Sequence, residues 1–266
     1  MNLNPIRKTC AKTLLGMYFQ ANAGHIGSSL SCLEILIDLL FIRMRPQDVL
    51  ILSKGHAAAA LYVTLAESGR LDIKELETFY KDGTLLAAHP PCSNEIPAIP
   101  FGTGSLGHGL SLAAGIAFST RFTKKDLRVY CVLSDGDCNE GSTWEAALFA
   151  SHHRLANLQV IVDRNNLQGI ARSDQVLNLE PFGTKWRAFG FATTIASNGN
   201  SFSSLNEAFE DPSQKMEKDD APKCIIAQTV KGHGVSFMEN RMEWHYHPMN
   251  KDQFDLAVSE LEKVHA

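Results

Sequence analysis

Apolar positions along this chain fall into two rhythms. Short unbroken apolar runs, bounded by glycine or polar turns, predict buried parallel strands at residues 49–52, 129–134 (VYCVLS), 158–162 (LQVIV) and 222–230. Longer stretches with helical spacing predict helices at residues 5–20, 31–42, 57–66, 110–122, 142–155 and 252–264. Residues 30–42 are interrupted by Glu34 and Asp38 and are expected to form an amphipathic helix. Between these elements lie breaks. Residues 24–29 (GHIGSS) interrupt the first helical stretch, and residues 88–100, with Pro90, Pro91, Pro97 and Pro100, are expected to be irregular. Residues 211–220 are charge-mixed and read as a solvated loop. No repeat or interdomain linker is evident. The pattern predicts one α/β domain over residues 1–266, a doubly wound, mostly parallel sheet with helices on both faces.

Composition narrows the function classes. At 266 residues and 44% hydrophobic content, the chain can bury a large core. Its net charge of −4, with scattered basic residues, disfavours nucleic acid as the main partner. Cys10, Cys32, Cys92, Cys131, Cys138 and Cys224 show no CxxC and no zinc-ligand spacing. Together with the lack of a membrane-length apolar run or an N-terminal apolar segment, they point to a cytoplasmic protein with reduced thiols.

The chemistry is carried by strand ends. The strand at 129–134 runs into Asp135-Gly136-Asp137, and the next runs into Asp163-Arg164-Asn165-Asn166-Leu167. Asp135 and Asn165, thirty positions apart, would reach the same sheet edge from adjacent strands. A hard cation such as Mg²⁺ takes oxygen ligands and commonly completes its octahedron with phosphates and water. Asp135, Asn165 and the carbonyl near Leu167 are the candidate metal ligands, and Gly136 would let the backbone approach a diphosphate. Either turn alone is an ordinary loop. Asp137 reads more simply as a cap of its own turn.

The segment VLSDGDCNEG…WEAA…HHRLANLQVIVDRNNLQ resembles the transketolase form of the motif shared by thiamine-diphosphate enzymes, with Ser134 where the family has its first glycine. Further matches follow in order along nearly the whole chain. GHIGSS resembles the family's GHPG stretch and implies a substrate-facing His25. LSKGHAAAALY implies Lys54 and His56 near the cofactor. AHP implies a substrate-side His89. GTGSLGHG is similar to TTGPLGQG, with His108 replacing Gln, and implies that the backbone at Gly104 and Leu106 holds the aminopyrimidine edge. TVKGHG and WHYHP resemble TxKG and WHGKP and imply Lys231 and His245.

The resemblance therefore implies a thiamine-diphosphate-binding fold, with Asp135, Asn165 and Leu167 on Mg²⁺ (or Ca²⁺ or Mn²⁺). Lys54, His56, Gly104, Leu106, Gly136, Asp137, Asn165, Lys231 and His245 would hold the cofactor. His25, His89 and His245 would serve catalysis, and Glu140 and Glu145 would line a subunit interface and couple active sites. His152, His153, His233, His247 and His265 read as ordinary surface or satisfied core histidines. Ser197-Asn198-Gly199-Asn200 departs from the family's DGH and suggests a divergent subfamily.

The implied reaction is transfer of a two-carbon ketol unit from a ketose phosphate to an aldose phosphate. In the family the activating glutamate and the phosphate-binding arginines belong to a later, pyrimidine-binding domain. The expectation is a second, C-terminal subunit that supplies them, in an α₂β₂ tetramer. Alternatives are a non-catalytic regulatory subunit or another thiamine-diphosphate enzyme that transfers or condenses ketol units. A nicotinamide dehydrogenase would need a GxGxxG between its first strand and helix, which is absent.

Overall fold

Among the described residues, five strands carry the chain from one strand-end loop to the next, and every pairing among them is parallel. The computed structural model describes residues 1–211 and 220–263. Helix α1 (Asn4–Ala21) leads through α2 (Ile26–Ser31) and α3 (Leu33–Asp38) to β1 (Val49–Leu52) and α4 (Ala58–Glu67). Helix α5 (Gly109–Thr123) precedes β2 (Val129–Ser134), α6 (Gly141–His152) and β3 (Leu158–Arg164). The second half adds α7 (Ser173–Val176), α8 (Phe182–Ala188), β4 (Ala192–Ala196), α9 (Phe202–Glu210), β5 (Lys223–Gln228) and α10 (Lys251–Lys263).

The strands order as β1-β2-β3-β5-β4. Side chains alternate between the two faces, as a pleated strand requires. Leu50, Leu52, Tyr130, Val132, Ile161 and Ile225 pack with α1 to α4, α9 and α10. Ile51, Cys131, Leu133, Val160, Val162 and Ile226 pack with α5, α6 and α8. Both faces are covered, and this explains the unbroken apolar runs.

The expected strands and helices are present, and three readings change. Residues 24–29 are not only a break: α2 starts at Ile26, preceded by His25 at φ 76°. The stretch expected as one amphipathic helix is α2, α3 and a wider turn over Leu39–Arg43. It has no charged solvent face along α3, because Glu34 and Asp38 are both only 2% exposed and pair with Arg7 and Arg43. The sheet also gains β4, an edge strand absent from the sequence reading. The expected loop at 211–220 lies almost wholly outside the described residues.

Candidate active site

The C-terminal ends of β1, β2, β3 and β5 converge, the usual place for ligands in a parallel sheet. Pairing of Ser134 with Asp163 aligns the ends of β2 and β3, and pairing of Arg164 with Gln228 aligns β3 with β5. Asp163 is the hub. Its carboxylate accepts from Ser31 Oγ at 2.6 Å, from Thr229 Oγ1 and from Lys54 Nζ. Lys54 also donates to the Ser28 carbonyl at 3.0 Å. Burial disfavours the Lys54 ammonium, but Asp163 outweighs that and raises its pKa. Lys54 lines a cavity, with its charge already committed to Asp163.

His25, His56, His89 and His245 assemble from four separated segments. The His25 ring lies 5.7 Å from His56, 6.1 Å from His89 and 5.0 Å from His245, and His56 lies 5.2 Å from His245. A backbone bond from His25 N to the His245 carbonyl, 2.8 Å, joins the α2 entrance to the late loop. Burial and repulsion from neighbouring positive groups lower the pKa of His25, His56 and His245, and burial alone lowers that of His89. His25 falls to about 4 through burial and His89, and His245 to about 3 through burial and Lys231. His56 is also lowered, by burial and Lys54. Lys231 Nζ sits 2.8 Å from His245 Nδ1. Burial, reinforced by Lys54, brings Lys231 down to about 7.

Asp135 is 1% exposed, with Arg164 Nη1 at 3.5 Å and Ser173 Oγ at 3.1 Å. Burial raises it to about 6, only partly offset by Arg164. Asn165 donates to Ser31 Oγ at 3.0 Å and accepts from Leu167 N at 3.0 Å. Among the described residues no group of three or more His, Cys, Asp or Glu is placed to hold a metal. The expected set contains a single carboxylate, within the one or two that Mg²⁺ usually takes from protein.

Asp137, read both as a cap of its own turn and as a cofactor residue, is turned inward. Its carboxylate accepts from Ser53 Oγ (2.5 Å), Gly107 N (2.9 Å), and Ser134 N and Oγ (both 2.8 Å). It is fully buried and saturated, so it ties β1, β2 and the glycine-rich loop together and presents no free oxygen to a ligand. Ser134, the departure from glycine, is one of its donors.

A cavity of about 240 Å³ opens between Lys54, His56, Leu106, Gly136, Asn165 and His245. A Cβ at Gly136 would come 2.7 Å from Leu106 Cδ1, so a side chain there would displace the tip of Leu106 on the cavity wall. Gly104 lines a separate open cleft of about 660 Å³ with Pro90, Thr103, Ser105 and His108. A further cavity, about 630 Å³, lies among Arg7, Glu34, Asn200 and His233. Its charges pair with each other, and no strand-end residue lines it. Glu140 and Glu145 are exposed, near Leu148 (58% exposed) and Phe149 (40%) on α6. His152, His153, His233 and His247 stand outside the histidine cluster, and His265 lies outside the described residues.

Sequence reasoning missed the supporting residues. Asp163 was visible as an acid ending an apolar strand, but Ser31 and Thr229 carry no local signal. Asn200 was seen only as a departure. Its carboxamide donates to the Ser31 carbonyl and to Glu34, each at 3.0 Å, and accepts from Val230 N at 2.8 Å.

Residues 12–262 match the family described as transketolase, thiamine diphosphate binding domain. The chain is 36% identical over 259 residues to an apulose-4-phosphate transketolase subunit of Phocaeicola vulgatus, covering 94% of this chain and 90% of that one. It is 35% identical over 249 residues to the 6-deoxy-6-sulfo-D-fructose transketolase subunit SqwG of a Clostridium strain, covering 90% and 89%. Human transketolase is 36% identical over 251 residues, covering 91% of this chain but 39% of that protein. The crystal structure of Campylobacter jejuni transketolase superposes with a TM-score of 0.86 at 27% identity, over 98% of this chain and 43% of that one. The chain thus spans about two fifths of these longer transketolases and nearly the full length of the separate transketolase subunits. It belongs to the transketolase family, as its thiamine diphosphate binding domain.

Proposed function

We propose that the chain is the diphosphate-holding subunit of a two-chain transketolase that moves a two-carbon ketol unit from a ketose phosphate to an aldose phosphate. The observation that carries this reading is the cluster of four histidines, two of which, His56 and His245, line a cavity with Lys54, Gly136 and Asn165. Neutral imidazoles both donate and accept hydrogen bonds, which suits a sugar's hydroxyls and proton movement among them. His25 and His89 would contact the sugar, and His56 and His245 would lie nearer the cofactor.

Thiamine diphosphate, when bound, supplies the nucleophilic carbon that carries the ketol unit. The residues fit its diphosphate end. Gly136 would let the backbone approach it, Lys54 places a cation at the strand ends, and Lys231 places there an amine that a diphosphate would hold protonated. Asp135, Asn165 and the Leu167 carbonyl would hold Mg²⁺. The weakly paired, buried Asp135 carboxylate is the group that a divalent cation would relieve. Gly104 and Leu106 would hold the aminopyrimidine edge.

Two observations support a second chain. Relatives that match over most of their length are named as single subunits of a transketolase. The cavity, at about 240 Å³, is below the ~300–1,000 Å³ usual for a drug-sized ligand. The rest of a two-ring cofactor would lie outside it, against a pyrimidine-binding partner. Such an interface exceeds ~1,000 Å² in stable complexes, and two-fold closure would give an α₂β₂ tetramer. The exposed Glu140 and Glu145 would lie under the partner. Six free cysteines, five of them buried, fit a cytoplasmic setting. Titrating thiamine diphosphate into the reconstituted pair, with and without Mg²⁺, tests the assignment: metal-independent binding would count against it.

A further inference from the structure

Tyr246 is held in place although it is 58% exposed. Its N–H donates to the Glu243 carbonyl at 3.1 Å. Its ring stands edge-on to His245, with centroids 4.6 Å apart at 64°, and lies 6.0 Å from the His25 ring. Two glycines make room for it. A Cβ at Gly24 would sit 2.4 Å from the Tyr246 carbonyl oxygen, and a Cβ at Gly169 would sit 2.4 Å from its hydroxyl oxygen. Gly24 precedes the histidine at the entrance to α2, and Gly169 follows Leu167 in the loop after β3. The ring therefore closes the gap between that loop and the histidine cluster, and it walls the 240 Å³ cavity.

A tyrosine presents an apolar face and a polar tip, which suits the C–H faces and hydroxyls of a sugar chain. The ring stands 6.0 Å from His25, the histidine proposed to face the sugar, and its outer side is exposed. We propose that Tyr246 is a specificity-determining residue that limits the bulk of the ketose chain admitted beside His25. This rests on the ketol-transfer reading above.

The test uses the complex reconstituted with the partner chain, thiamine diphosphate and Mg²⁺. Hydroxypyruvate, xylulose 5-phosphate and sedoheptulose 7-phosphate serve as donors, with ribose 5-phosphate as a common acceptor. Tyr246→Gly raises kcat/KM for the seven-carbon donor relative to hydroxypyruvate at least tenfold. Tyr246→Phe, which keeps the ring, keeps the donor ranking. Gly169→Ala, which pushes the ring aside, shifts the ranking in the same direction as Tyr246→Gly. The Kd for thiamine diphosphate is followed in parallel by tryptophan fluorescence, and the change in donor ranking exceeds any change in that Kd. An unchanged ranking in Tyr246→Gly overturns the proposal, as does a ranking change matched by an equal loss of cofactor affinity. Absence of transfer by the wild-type complex with every donor defeats the ketol-transfer reading and this proposal together. Transfer with an unchanged ranking defeats only the role of Tyr246.

Discussion

Lys54 and Asp163 form an ion pair in which both side chains are completely shielded from solvent. Neither charge is stable there alone. Asp163 is further held by Ser31 from α2 and Thr229 beyond β5, so the pair pins three strand ends and a helix around one carboxylate. Lys54→Met is expected to destabilise the chain by ~3–5 kcal/mol, the usual consequence of leaving a buried charge unpaired. Adding Asp163→Asn should recover most of that loss. Urea unfolding of the two variants decides, and an unshifted midpoint in Lys54→Met would show that the pair does not hold the strand ends.

Lys231 gives the chain a pH dependence of known direction. Its amine loses its proton near pH 7 in the folded chain but keeps it to the ordinary 10.5 when unfolded. Between those values the unfolded state binds more protons, so this group makes stability rise with pH. Across pH 7 to 9 its contribution should climb by up to ~1.4 kcal/mol per pH unit. Lys231→Met should remove that climb. Parallel stability curves for wild type and variant would place the amine outside the buried site.

Asp135 and Asp137 should separate binding from folding. Asp135→Ala is expected to abolish Mg²⁺-dependent thiamine diphosphate binding in the assembled enzyme. Asp137→Ala strands the donors of Ser53, Gly107 and Ser134, each worth ~1–3 kcal/mol when buried and unsatisfied. It should lower the unfolding midpoint strongly, while the protein that remains folded loses cofactor affinity only modestly. Calorimetric titration beside thermal unfolding distinguishes them, and normal binding by Asp135→Ala would remove it from the metal site.

The architecture was legible because both sheet faces are covered, which turns four strands into unbroken apolar runs. Edge strand β4 was not, since Thr193, Thr194 and an exposed Ile195 give no buried run. The positions of Asp135 and Asn165 were legible because each follows a strand within a family-like motif, and the four histidines stood out because each lies in such a motif. Their support was not legible. Ser31 meets Asn165 across 134 residues and Asp163 across 132, and no local pattern announces such contacts. The bonds of the Asp137 carboxylate to Ser53 and Gly107, 84 and 30 residues away, were equally invisible in the motif.

His25 and His89 are expected to act on the sugar. Their alanine variants should lower kcat/KM for the ketose by tenfold or more and leave thiamine diphosphate affinity within a few-fold. Because His25 titrates near 4, its protonation should not appear in the kcat/KM profile between pH 6 and 8. A collapse of cofactor affinity in either variant would place these rings on the cofactor instead.

The central claim is that this chain holds one half of a shared site. A coupled transketolase assay at saturating thiamine diphosphate and Mg²⁺ tests it most directly, run on the purified chain and then with its partner added. The account predicts no ketol transfer by the chain alone and robust transfer once the partner is present. Robust turnover by the isolated chain would mean that the whole catalytic apparatus lies within these 266 residues, in contradiction of the two-chain site.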